Sequence, residues 1–269
     1  MDIKFYYPVW SIGELPLEEA LYKIKKNGYD GAEIAIREDQ DLQYIQSVFK
    51  DQDLELLAQH PFAEGTTFDE YQKDFSNKLR KIQKLQPVHI NCHTGNDYFS
   101  FEQNKKLLLE AIRIEKENSI KISHEIHRGR FSFAPLITKQ YIDQIQELKL
   151  TADYSHWCVV TESLLENFEN VLKSLASNIH HIHARVGFEE APQVNDPFAP
   201  EHRYALERHL QWWQQILNTY KKNQKGALLI TCEFGPKPYL QNLPYTQQPV
   251  ADIWNINLKM KSYLKRKLQ

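Results

Sequence analysis

Four short apolar runs in the second half of the chain each lead into an acid or a histidine. They are Lys121-Ile122-Ser123-His124-Glu125, Leu148-Lys149-Leu150-Thr151-Ala152-Asp153, Ile179-His180-His181-Ile182-His183 and Leu228-Leu229-Ile230-Thr231-Cys232-Glu233. Three carboxylates and one imidazole (Glu125, Asp153, His183 and Glu233) make a ligand set that hard or borderline divalent cations accept. Ionisable groups at the ends of apolar strands are costly to bury unless something pairs with them. One shared cation would compensate all four.

Other ionisable residues fall into the same rhythm. Glu33 lies in the second strand-like run, His60 ends the third and His93 ends the fourth. Each histidine reads either as a hydrogen-bonded structural residue or as a contact at the same mouth. His156 follows Asp153 by three positions, within reach of whatever Asp153 holds. Arg185 falls two residues after His183, on the same strand face, where it would clamp a hydroxyl, carboxylate or phosphate oxygen. Its alternative is a charge pair with Glu189 or Glu190. His181 shares the alternation of His183 one layer deeper. Trp10 and Trp157 fall in expected loops, where each either offers a flat apolar face to a sugar ring or simply packs.

Elements that alternate between two periods must position these residues. Strand-like runs cover 3–7, 31–36, 54–59, 88–92, 121–126, 148–153, 179–186 and 227–233. Helix-like segments separate them, for example 17–26, 68–85, 101–118 and 203–222. In the segment 68–85, Phe68, Tyr71, Phe75, Leu79 and Ile82 recur every three or four residues, as one buried helix face requires. Thr67 followed by Glu70 predicts a capping box at its start. Eight strand–helix units in this order predict an α/β fold closed as a (β/α)8 barrel, with a doubly wound open sheet as the alternative. Two stretches rich in proline, 187–201 and 234–249, follow the seventh and eighth strands and are expected to wall the mouth.

The 269 residues suit one barrel domain spanning 1–269, with 42% hydrophobic and 25% charged residues. A net charge of −2, and no cluster of lysine and arginine in the expected mouth loops, argue against binding to a nucleic-acid backbone. Cys92, Cys158 and Cys232 show no metal-finger spacing and suit a reducing compartment. No charged-then-apolar leader opens the sequence, and no apolar run approaches the ~20 residues of a membrane span. The expectation is a cytoplasmic protein that does not engage a membrane.

Glu125, then Asp153-x-x-His156, then His181-x-His183, then Glu233, resembles the xylose-isomerase-like barrel superfamily. That group includes ketose 3-epimerases, hydroxypyruvate isomerase, inosose dehydratase and the endonuclease IV phosphodiesterases. The resemblance implies a metal held by Glu125, Asp153, His183 and Glu233, with Mn²⁺ or Mg²⁺ suited to the carboxylates and Zn²⁺ or Co²⁺ as other candidates. It implies substrate contacts by His156 and Arg185, although Arg185 sits closer to the metal histidine than the epimerase arginine does. His60, His93, Glu33, Trp10 and Trp157 complete the expected substrate-facing set. The implied activity is isomerisation or epimerisation of a sugar or sugar phosphate, with Glu125 and Glu233 as the acid/base pair around a metal-stabilised cis-enediolate. Alternatives are a dehydratase acting on a keto-polyol, an endonuclease IV-like phosphodiesterase and a non-catalytic sugar-binding barrel. The endonuclease branch binds three zinc ions and takes further histidines from the third and fourth strands, positions that His60 and His93 match. But it also needs an Asp-x-His pair after the seventh strand, which this chain lacks. A homo-oligomer is compatible with the fold.

Overall fold

A computed structural model describes residues 2–223 and 226–268. Eight parallel strands pair in chain order: β1 (Ile3–Pro8), β2 (Gly31–Ala35), β3 (Glu55–His60), β4 (His89–Cys92), β5 (Ile122–Glu125), β6 (Leu150–Ala152), β7 (Ile179–His183) and β8 (Leu228–Thr231). β8 returns to pair with β1, Thr231 opposite Tyr6, so the sheet closes into a barrel rather than opening. The ladders end earlier than the apolar runs do. Asp153, Arg185 and Glu233 therefore stand just past the last strand residues, at the rim where βα loops begin.

Helices α1 (Leu17–Lys26), α2 (Leu42–Asp51), α3 (Phe68–Gln83), α4 (Phe101–Asn118), α5 (Pro135–Gln144), α6 (Ser155–Val160), α7 (Glu169–Leu175), α8 (Arg203–Asn223) and α9 (Ile253–Lys267) surround the strands. Local chemistry sets several of their starts. Thr67 and Glu70 form the reciprocal capping box at α3, Ser100 and Gln103 form another at α4, and the Asp41 side chain accepts two backbone N–H groups at α2. On α9, Ile253, Ile256, Met260 and Leu264 are buried at helical spacing.

Alternation along the strands divides the core in two. Ile90 and Cys92 on β4, Ile122 and Ile126 around β5, and Ile230 and Cys232 around β8 join the apolar layer between barrel and helices. The intervening positions face the lumen. Contacts across the barrel demonstrate this: Asn91 on β4 meets Glu33 on β2, and His183 on β7 meets Glu33 as well. Many barrels fill this space with branched aliphatic side chains. Here a hydrogen-bonded chain occupies much of it, running His89–Ser123–Thr151–His181–Thr231–Glu33 at 2.7, 2.5, 3.4, 2.8 and 2.7 Å. Each hydroxyl can donate on one side and accept on the other, so no buried polar atom in the chain is stranded.

Candidate metal centre

Glu125, Asp153, His183 and Glu233 converge at the upper end of the lumen, each offering one ligand atom within 4.8 Å of the others. All four are buried. An ion held at about 2.1–2.3 Å spreads its ligand atoms over about 3–4.5 Å, so a slight contraction would complete the shell. His183 Nδ1 lies 2.8 Å from Glu233 Oε2. Even so, both atoms are buried with no hydrogen-bond partner. A ring nitrogen and a carboxylate oxygen left unbonded at one point are donor atoms for a cation, which would take the place of the proton on His183 Nδ1. The donor set therefore fits a divalent cation.

Charge bookkeeping leads to the same place. Glu33, Glu125, Asp153 and Glu233 are four buried carboxylates, and Arg185 is the buried guanidinium among them. Arg185 pairs through Nη2 with Asp153 Oδ2, and its Nη1 lies 3.7 Å from Glu233. Burial disfavours a charged His183, but Glu233, Glu33 and Glu125 outweigh it and hold the imidazole well above its usual range. Burial pushes the Asp153 carboxyl up to about 7 against the pull of Arg185, with Glu233 adding to the rise. Glu125 goes the other way: its desolvation is overcome by His93 and His183, which hold it well below the usual carboxylate range. With all four carboxylates ionised, protonated His183 and Arg185 would offset only two of them, an excess that the raised Asp153 carboxyl relieves by keeping its proton. A dication in place of the His183 proton leaves one negative charge uncompensated instead of two.

The lumen also fixes ring orientation. His183 donates through Nε2 to Glu33 at 3.0 Å, and Glu33 is held in turn by the Thr231 hydroxyl at 2.7 Å and Asn91 at 3.2 Å. This leaves Nδ1 as the ligand atom, the arrangement in which a carboxylate sets the tautomer of a metal-binding histidine. His93 Nε2 and Asn91 Nδ2 donate to Glu125 Oε2 at 2.8 and 2.7 Å. Arg185 also donates to His156 Nε2 at 2.8 Å, which makes His156 an acceptor there. Burial, helped by His127 and Arg185, keeps His156 well below the usual histidine range.

Several expectations need correction. His60 faces out of the barrel: it is fully buried against Phe75, with Nε2 3.2 Å from the Phe75 carbonyl and the rings 4.9 Å apart. Two-residue alternation makes Gln59 the lumen residue of β3, 3.3 Å from His93. Glu33 does not reach the mouth but sits below His183. Trp157 belongs to α6, is fully buried, donates to the Ser132 carbonyl at 2.8 Å and stacks on Tyr154, so it offers no face to a sugar. Arg185 pairs with Asp153, not with Glu189 or Glu190. The mouth also carries two arginines, Arg128 and Arg130, on the β5–α5 connection. Their Arg-Gly-Arg spacing was the available signal.

Trp10 is half-buried at the mouth, 5.8 Å from Tyr239. A Cβ on Gly235 would come within 1.7 Å of its ring, so only glycine permits this approach. The two proline-bearing loops are stitched together: Gln193 Nε2 donates to the Gly235 carbonyl, and Gly235 N donates back to Gln193 Oε1, both at 2.9 Å. No helix is long and apolar enough to cross a membrane among the described residues.

No protein-family model matches the sequence, and no curated protein matches it. Solved structures do resemble the fold, and these neighbours are xylose-isomerase-like TIM barrels: sugar epimerases, a family 2 AP endonuclease, a probable 3-DHS dehydratase and sugar phosphate isomerase/epimerases. A D-allulose 3-epimerase from Methylomonas sp., solved with D-allulose, superposes with a TM-score of 0.67 at 14% identity, covering 99% of this chain and 97% of that one. An L-ribulose 3-epimerase gives 0.67 at 12% identity over 100% and 95% of the two chains. The AP endonuclease from Brucella melitensis gives 0.60 at 14% identity over 87% and 94%. At such identities the likeness establishes the (β/α)8 architecture, and function must be argued from the site.

Proposed function

We propose that this protein is a divalent-metal-dependent isomerase or epimerase acting on a small keto sugar or its phosphate. One observation carries the reading: three carboxylates and a histidine from four successive strand ends share a space the size of a coordination shell. The epimerase neighbours, one of them solved with its ketose, support the same class. When bound, a dication would polarise a substrate carbonyl and make the adjacent C–H acidic.

The chain supplies the proton chemistry. Glu125 and Glu233 stand on β5 and just past β8, on different sides of the lumen, so one can accept the carbon-bound proton while the other delivers one. His93 and Asn91 hold Glu125 by the same oxygen, which fixes the carboxylate plane. Arg185 and His156 form a buried donor–acceptor pair beside Asp153, placed to meet a developing oxyanion. Delivery of a proton to the opposite face of the same carbon gives epimerisation, and delivery to the neighbouring carbon gives isomerisation. Expulsion of a β-hydroxyl would instead give dehydration. His60 faces away from the lumen, which removes one histidine a multi-zinc nuclease site would use.

The test is turnover in ²H₂O with a panel of C3–C6 keto sugars, their phosphates and inososes, with Mn²⁺ added. Solvent deuterium in an isomeric product without loss of water is the expected result. Glu233→Gln should lower turnover by about 10²–10⁴-fold with the fold intact. Near-normal turnover in that variant, or protein that neither retains nor binds a divalent ion, would overturn the reading.

A further inference from the structure

Two arginines stand at the rim of the site with no carboxylate partner within ion-pair distance among the described residues. The segment His127-Arg128-Gly129-Arg130 leaves β5 immediately above the metal ligand Glu125, turning at Gly129 in the left-handed region (φ 76°). Arg130 Nη1 donates to the Gly95 carbonyl at 3.0 Å and to Asn96 Oδ1 at 2.9 Å, and its guanidinium lies 4.3 Å from the Phe62 ring centre. Its Nε is buried with no hydrogen-bond partner. Arg128 is exposed, and its guanidinium lies 5.9 Å from the ring centre of Tyr239.

The rim and the metal centre are joined by a row of packed aromatic rings. Phe62 packs on His93 at 5.2 Å, His93 on His127 at 5.0 Å, and His127 on His156 at 3.9 Å. His93 binds Glu125 and His156 binds Arg185, so this row of rings runs along the metal ligands. Arg130 caps the row at Phe62, while Arg128 adjoins His127 at the other side. An extended sugar held at the metal by one end would reach this rim with the other.

We propose that this rim is a subsite for an anionic group, a phosphate monoester or a carboxylate, on the end of the substrate remote from its carbonyl. The proposal rests on the isomerase reading and narrows its substrate class. The inner site keeps a net negative charge even with a dication, so an anion is disfavoured there and welcome only at the rim. A neutral sugar laid over Arg130 would bury a cation further with nothing to offset it. A phosphate or carboxylate would instead receive paired guanidinium N–H donors. Burial already pulls the Arg130 guanidinium below its usual range, which marks a charge short of a partner.

Calorimetry on the Mn²⁺-loaded protein with a ketopentose, its 5-phosphate and the matching keto-uronate tests this. One charged form is expected to bind at least about ten-fold tighter than the neutral sugar, and whichever does so identifies the source of the charge. Arg128→Ala, at an exposed position that should leave the melting temperature unchanged, is expected to shrink that preference, and Arg130→Ala to shrink it further. Equal affinity for neutral and charged forms, or a preference untouched by Arg128→Ala, would overturn the proposal. If no ketose of any kind binds, the isomerase reading fails, and the rim is judged on inorganic phosphate with chelator-treated protein. Saturable phosphate binding that Arg128→Ala abolishes then upholds the anion subsite, and its absence refutes it. Tighter, arginine-dependent binding of an abasic DNA duplex would replace a small anionic sugar with nucleic acid and overturn the substrate class.

Discussion

The β5–β8 half of the barrel mouth carries Glu125, Asp153, His183, Arg185 and Glu233, all ionisable and all buried. Across the lumen and partly beneath, the β2–β4 side carries Glu33, Gln59, Asn91 and His93, and most of its hydrogen bonds reach over to the first half. One half gathers charge and the other sets its orientation. Removing a member of the first should change what the site can hold. Removing one from the second should change how well it is held.

The largest effect is expected at Asp153. Asp153→Asn removes one ligand carboxylate from a site that has an excess of them and leaves Arg185 with Glu233 at 3.7 Å. The metal-free protein should therefore lose little stability, while its affinity for Mn²⁺ falls by more than about 100-fold, beyond the loss of an outer partner. An Mn²⁺ affinity unchanged in that variant would mean that Asp153 holds only Arg185 and that charge is not what the β5–β8 half contributes.

A second contrast sets the lumen against the outer layer. His60, His124 and His209 lie outside the site, and burial pushes them down to about 4, 3 and 4 from an ordinary value of 6.5. In this range the unfolded chain binds protons that the folded chain refuses, so stability falls as pH drops from 6.5 toward 4 and is regained as pH rises. Each such histidine contributes up to about 3 kcal/mol to that loss. His209, held by the Ala205 carbonyl at 2.9 Å, is the cleanest to test: His209→Gln should flatten the melting-versus-pH slope below 6.5. A slope unchanged by that substitution would place the acid sensitivity in the site instead.

Smaller effects should separate positioning from packing. Glu33→Gln weakens the carboxylate that orients His183 and should lower metal affinity by about 10–100-fold. His60→Gln should leave metal affinity alone and cost about 1–3 kcal/mol of stability through its lost contact with the Phe75 carbonyl. Metal titration and denaturant melts of both variants decide the matter. Equal effects on metal affinity would erase the distinction between the two strand ends.

Local periodicity made much of this molecule legible in the sequence. The alternation of short apolar runs with amphipathic segments is what parallel strands and covering helices require, and Thr67 with Glu70 marks a helix start because the capping box is closed within four residues. An ionisable residue ending each of the last four strands announced a shared counter-charge, since isolated burial of each would be too costly. The tertiary structure alone decided the phase and the partners. His60 and Gln59 are adjacent in sequence, and only the ladder register shows that Gln59 faces the lumen. Glu33 and His183 are 150 residues apart, and Trp157 left the mouth because α6 turns it toward Ser132. Those outcomes follow from barrel closure and strand stagger, which depend on all eight strands at once and leave no mark on any single one.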